Sequence, residues 1–131
     1  MPKYRIEHVG VTVTDLEVAV AWYTESFGFE ETRRFEKAEF QVKGAALQLG
    51  DDALELLEPY DPAPGHPSGR ELPALLAQVG ANHFALNVDD AAAAYEKLQA
   101  DGSELVTELL EGRFFFCRDP FGTLIEVRER K

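Results

Sequence analysis

The chain has 131 residues, 45% of them hydrophobic and 28% charged, which fits one compact domain with a sizeable core. Its formal net charge of −11 repels phosphate backbones and anionic membranes, and it disfavours polyanionic substrates unless a local basic patch receives them. No apolar run approaches the ~20 residues of a membrane span, the N-terminal stretch has no signal-peptide core, and the lone Cys117 cannot form an internal disulfide, so a cytoplasmic location is expected.

The first segment, "IEHVGVTV" (6–13), alternates as a half-buried strand: Val9, Val11 and Val13 share one face, and His8, Gly10 and Thr12 the other. Thr14 and Glu17 have the spacing of a capping box. Leu16, Ala19, Val20, Tyr23 and Phe27 form one stripe of the helix that follows, and Gly28 supplies its stop. Three strand-like runs come next: "FEETRRF", "EFQVKGAALQL" and "ALELLE". The segment "EPYDPAPGHPSGR" holds four of the seven prolines and reads as a linker, followed by a short helix over roughly 72–79 with Pro73 near its start.

From Ala81 the pattern repeats. Phe84, Leu86 and Val88 share one strand face, His83, Ala85 and Asn87 the other; Asp89 or Asp90 caps a helix with the stripe Ala91, Ala94, Tyr95 and Leu98, ended by Gly102. Placing His8 over His83 also puts Val13 over Val88 and Asp15 over Asp90, each 75 residues apart, which marks an internal repeat. "ELVTELL", "RFFFCR" and "TLIEVRE" supply the last three strands. The expectation is a single α+β domain over 1–131: module one at about 1–58, linker and short helix at about 59–80, module two at about 81–131.

Each half carries a histidine in its first strand, His8 or His83, and a glutamate opposite the apolar face of its last strand, Glu55 or Glu126. A carboxylate in an apolar strand is costly without a partner. Two-fold packing of the modules would gather the four around one divalent ion; this N/O donor set suits Zn, Ni, Co, Mn or Fe. The plainer alternatives pair Glu126 with Arg128 or Arg130 and Glu55 with Arg33 or Arg34, and a single strand histidine is more often structural. Glu58 competes with Glu55, but it lies on the face of Leu54 and Leu56 and precedes Pro59, so Glu55 is preferred.

"HVGVTVTDLEVAVAWYTESFGF" and "DPFGTLIEV" resemble the vicinal oxygen chelate superfamily, which includes glyoxalase I, methylmalonyl-CoA epimerase, extradiol dioxygenases, and bleomycin- and fosfomycin-resistance proteins. The resemblance covers nearly the whole chain. It implies two βαβββ modules forming a curled mixed sheet around a metal cleft, a homodimer, and a small-molecule substrate. His8, Glu55, His83 and Glu126 match its metal positions. The leading implied function is a glyoxalase-type isomerase or lyase acting on a small carbonyl or thioester through metal-stabilised enediolate chemistry, with Glu126 the first choice of base and Glu55 the other metal-bound carboxylate. Alternatives are an epimerase-like racemase, an extradiol dioxygenase, or a non-catalytic drug- or metabolite-binding resistance protein.

The family's glutathione-carboxylate arginine would fall near Thr12 and its asparagine near Pro59, and neither is present, which points away from lactoylglutathione. Glu39 falls where the epimerases have a second catalytic glutamate, although by itself it reads as a solvated strand residue. Phe40, Phe114 and Phe116 read as core or cleft lining. His66 reads as an exposed linker residue, with a lid over the site as the alternative, and Cys117 as a small buried hydrophobe.

Overall fold

The structure is a computed structural model that describes residues 1–65 and 71–130. His66 lies outside the described residues. The elements run β1 (His8–Thr12), α1 (Leu16–Phe27), β2 (Glu30–Lys37), a 3-10 turn (Ala38–Phe40), β3 (Val42–Leu49), β4 (Asp52–Pro59), α2 (Leu72–Leu76), β5 (Phe84–Val88), α3 (Ala91–Ala100), β6 (Glu104–Leu105), β7 (Phe114–Arg118) and β8 (Leu124–Glu129). They fall into two compact units, Met1–Ala63 and Pro64–Lys131. The chain is α+β, and each unit holds one βαβββ module, preceded in the second by α2.

In the first unit the strand order is β1-β4-β3-β2 and in the second β5-β8-β7-β6. The first strand of each runs parallel to the last, and the remaining pairs are antiparallel. Neither sheet closes on itself. Such a parallel pair needs a crossover, and the helix provides it: α1 lies on the face of Val11, Ala45, Leu47, Leu54 and Leu56, where Leu16, Ala19 and Tyr23 are buried against it. In the second unit α3 covers Phe115, Cys117, Ile125 and Val127 with Ala91 and Leu98, and Tyr95 meets Phe115 edge-on at 5.2 Å.

The helix starts are built alike and differ from the capping box expected at Thr14. Asp15 is the N-cap of α1, accepting from the Val18 N–H at 3.1 Å, and Asp90 does the same for α3 through the Ala93 N–H at 3.0 Å. A second carboxylate takes the first helical N–H in each: Glu58 accepts from Leu16 at 2.7 Å, and Glu129 from Ala91 at 3.1 Å. Glu58 also pairs with Lys43 at 3.2 Å, which removes it from competition with Glu55.

Three expected elements are shorter. The run "ELVTELL" yields only the two-residue β6, followed by a turn with an isolated bridge from Leu110 to Phe114. The helix expected over 72–79 stops at Leu76, and Gly80 follows at φ 108°. Glu39 and Phe40 stand on an exposed 3-10 turn ended by Gln41 at φ 56°, not on β3.

Candidate active site

On the face away from α1, strand register fixes a small lattice. One row across the first sheet runs Arg33, Ala46, Glu55, Gly10; the next runs Phe35, Gly44, Leu57, Thr12; a third runs Lys37, Val42, Pro59. Gly10, Gly44 and Ala46 leave the middle low, and a cavity of about 400 Å³ opens there, lined among others by Thr12, Arg33, Lys37, Phe40 and Glu55. Phe35 occupies the space a larger residue at position 44 would need. Arg33 stacks on the Phe35 ring at 4.9 Å.

Glu55 is half-buried on this wall. Neither expected arginine meets it: Arg34 bonds Glu17 and Glu31 on the helix side, and Arg33 is over Phe35. Among the described residues Glu55 has no hydrogen-bond or ion-pair partner. His8 shares its face, since Gly10 is the residue beside Glu55 in the register, but the His8 ring bonds Glu7 through Nδ1 at 3.0 Å and forms no hydrogen bond or ion pair with Glu55.

The corresponding lattice in the second unit is filled. Phe116 stands beside Glu126 and Phe114 beside Arg128, where the first unit has Ala46 and Gly44. Leu75 of α2 packs onto Phe116 and Leu124. Here the histidine and glutamate do meet: His83 Nε2 is 3.3 Å from Glu126 Oε1. Arg128 Nε donates to Glu126 Oε2 at 2.6 Å while its guanidinium lies 4.1 Å over Phe114. The plainer partner for Glu126 is thus present together with the histidine.

The tautomer of His83 follows from its neighbours. The Asn82 amide donates through Nδ2 to the Leu75 carbonyl at 2.8 Å, which turns its Oδ1 toward His83 Nδ1, also at 2.8 Å. Nδ1 must then donate to Asn82 Oδ1, and Nε2 is the nitrogen that faces Glu126. Nε2 and a carboxylate oxygen 3.3 Å apart share either a proton or a bound cation. His8 repeats the arrangement, with Nδ1 held by the carboxylate of the preceding Glu7. Holding one ring nitrogen so that the other is free is how proteins prepare histidine as a ligand. Among the described residues, neither unit gathers three or more His, Cys, Asp or Glu side chains into one cluster; each contributes one imidazole and one carboxylate on one sheet face, a donor chemistry that fits a divalent ion.

Residues 5–127 match the Glyoxalase/Bleomycin resistance protein/Dioxygenase superfamily model. The chain belongs to this superfamily. Within it, the uncharacterized protein YwbC of Bacillus subtilis is 30% identical, over 96% of this chain and 98% of that one. Lactoylglutathione lyase of Salmonella typhimurium is 27% identical over 97% and 93%, and human mitochondrial methylmalonyl-CoA epimerase 28% over 95% and 73%. Among solved folds, a Leishmania major glyoxalase I superposes with a TM-score of 0.79 at 21% identity, covering 97% of this chain and 87% of that one. The fosfomycin resistance protein FosX of Listeria monocytogenes, solved with Mn(II) and sulfate, gives 0.70 at 18% over 99% and 95%.

Sequence reasoning passed over several residues that shape these faces in this superfamily member. Lys37 carried no role, and Arg33 entered only as a partner for Glu55; their signal was the alternation Arg33, Phe35, Lys37 on one face of a strand. Asn82 was readable only once α2 was placed. Phe40 is not the core residue its strand-like run favoured: it is 71% exposed on its turn and lines the cavity, while Phe114 and Phe116 pack beside Arg128 and His83. Cys117 is fully buried, as its strand pattern implied, and burial with the nearby Asp119 pushes its thiol up to about 12. Among the described residues no helix is long and apolar enough to cross a membrane.

Proposed function

We propose that the protein is a metal-dependent lyase or isomerase of the glyoxalase type, moving a proton at a carbon next to the carbonyl or thioester of a small molecule. The observation that carries this reading is the duplicated preparation of ligands: an imidazole with Nδ1 held by the preceding side chain, and a glutamate on the same sheet face, in both units. His8, Glu55, His83 and Glu126 would hold one Zn, Ni, Co, Mn or Fe ion. Such an ion, when bound, supplies the localised positive charge that polarises substrate oxygens and makes the adjacent C–H acidic.

The chain's own groups divide the remaining work. Besides its place in the ligand set, Glu55 accepts the proton from the substrate carbon and returns it, because it borders the cavity and, among the described residues, no Arg, Lys or His side chain pairs with it. The sequence alone favours Glu126 for this role; its contacts with His83 and Arg128 favour keeping it as a ligand. Leu57, Phe35 and Phe40 give the reacting carbon an apolar wall. Thr12 and Pro59, which replace the arginine and asparagine of glutathione-binding members, line the same cavity, so a substrate smaller than a glutathione adduct is favoured. A racemase of the epimerase kind is the second reading, favoured by Glu39, which neighbours Phe40 on the turn beside the cavity.

Incubating the metal-loaded protein in deuterium oxide with the hemithioacetal of methylglyoxal, with small α-hydroxy ketones and with branched acyl-CoA thioesters tests this. Metal-dependent deuterium uptake at the carbon beside the carbonyl is expected for one class. Substrate binding without exchange or turnover in any class would leave a binding protein instead.

A further inference from the structure

We propose that Arg33 and Lys37 form an anion subsite along the β2 side of the first unit's cavity, with the Phe35 ring between them, and that the ligand is a small organic carboxylate with an apolar body. The protein is strongly acidic, with 24 Asp and Glu against 13 Lys and Arg, and Lys43, Arg34, Lys97 and Arg128 each pair with a carboxylate. Arg33 and Lys37 both line the cavity, and among the described residues neither has a carboxylate partner. Arg33 is instead steadied by the Phe35 ring, a contact that orders the guanidinium while leaving its N–H edge free to meet a planar two-oxygen acceptor. The nearest acid in sequence, Glu36, points to the other face of β2 and accepts from the Tyr60 hydroxyl.

Charge favours a monoanion. Two cations and Glu55 leave one net positive charge on the cavity wall, which a carboxylate balances; a dianionic phosphate would add uncompensated negative charge to a protein already at −11. The register places Arg33 and Glu55 two strands apart, about 10 Å between backbones, with the small Ala46 between them. A body of a few carbons spans that gap, against Phe35, Phe40 and Leu57. The anion is held on the β2 side, and the carbon that loses its proton lies toward Glu55. That last placement rests on the proposed function, but the anion subsite does not require the metal.

Phenylacetate, its neutral amide phenylacetamide and phenyl phosphate, titrated into the whole protein and followed by amide chemical shifts and calorimetry, test the subsite. Phenylacetate is expected to shift Thr12, Phe35 and Phe40 and to bind about tenfold or more tightly than the amide or phenyl phosphate. Arg33→Gln and Lys37→Gln should each remove most of that advantage, whereas Lys97→Gln, which deletes the same charge from the second unit, should not. Repeating the titration after chelator treatment separates the two ideas: failure of the metal reading leaves phenylacetate binding intact. Equal binding of acid and amide, unchanged binding in both variants, tighter phenyl phosphate binding, or no binding at all would overturn the proposal.

Discussion

Phe35 lies over Gly44 so closely that a Cβ on Gly44 would stand 2.2 Å from the ring's Cζ. Cross-strand partners on β2 and β3, they exclude any larger pairing at that point of the sheet. Gly44→Ala should therefore displace the Phe35 ring and loosen the stacked Arg33, and because the ring tip borders the cavity the cost should be small, about 1 kcal/mol. Denaturant melts of Gly44→Ala, Phe35→Ala and the double variant check it: the double variant should be more stable than the sum of the single losses implies.

The paired carboxylates at each helix start give a second prediction. Glu58→Ala leaves the Leu16 N–H without its acceptor and should cost about 1–2 kcal/mol; Glu129→Ala should cost a similar amount at α3. The Glu58 carboxyl is held below its ordinary range by the Leu16 N–H, helped by Lys43. A depressed pKa in the folded state means this contribution is present above the unfolded value, about 4.5, and is lost as pH falls through the lower folded value. Wild type should thus lose more stability than Glu58→Gln between neutral pH and about pH 3, measured by parallel urea melts.

Much of this was written in the sequence, and the exceptions have physical causes. Alternation and the offset from His8 to His83 disclosed both modules, because a half-buried strand and an amphipathic helix leave opposite periodicities. The α1 cap was misplaced by one residue because Thr14 and Asp15 are both competent and only backbone geometry chooses. "ELVTELL" has strand composition, yet only its first two residues keep a regular ladder with β7; Val106 and Thr107 both donate to the Phe116 carbonyl, which breaks the register before the Leu110–Phe114 bridge. The hollow face of one unit and the filled face of the other were not legible: that contrast depends on which residues stand opposite Glu55 and Glu126, Ala46 and Phe116, and pairing across strands is a matter of register. Asp119 is similar. It is buried in the turn before β8 and accepts from the Phe121 and Thr123 N–H groups at 2.9 and 2.8 Å, so "DPFG" is a structural signature of the hairpin.

Cys117 gives a third prediction. Its thiol is buried and pushed up to about 12, so almost no thiolate exists near neutral pH. Ellman's reagent at about pH 8 should leave the native thiol unmodified and react fully once the protein is unfolded; fast native labelling would contradict the burial.

Asn82 fixes the His83 tautomer without touching the proposed ion, and Asn82→Leu should weaken metal affinity by about 10–100-fold while leaving the sheet intact. Competition with a chromogenic chelator, alongside circular dichroism, reads both. Unchanged affinity would mean that the ring is oriented by Glu126 and Phe116 alone.

The metal content of the purified protein, measured by elemental analysis for wild type, His8→Ala, Glu55→Ala, His83→Ala and Glu126→Ala, tests the proposed site most directly. The account predicts about one equivalent of a divalent ion per chain in wild type and a marked loss in every variant. A wild-type protein that binds no divalent ion, or four variants that retain it fully, would contradict it.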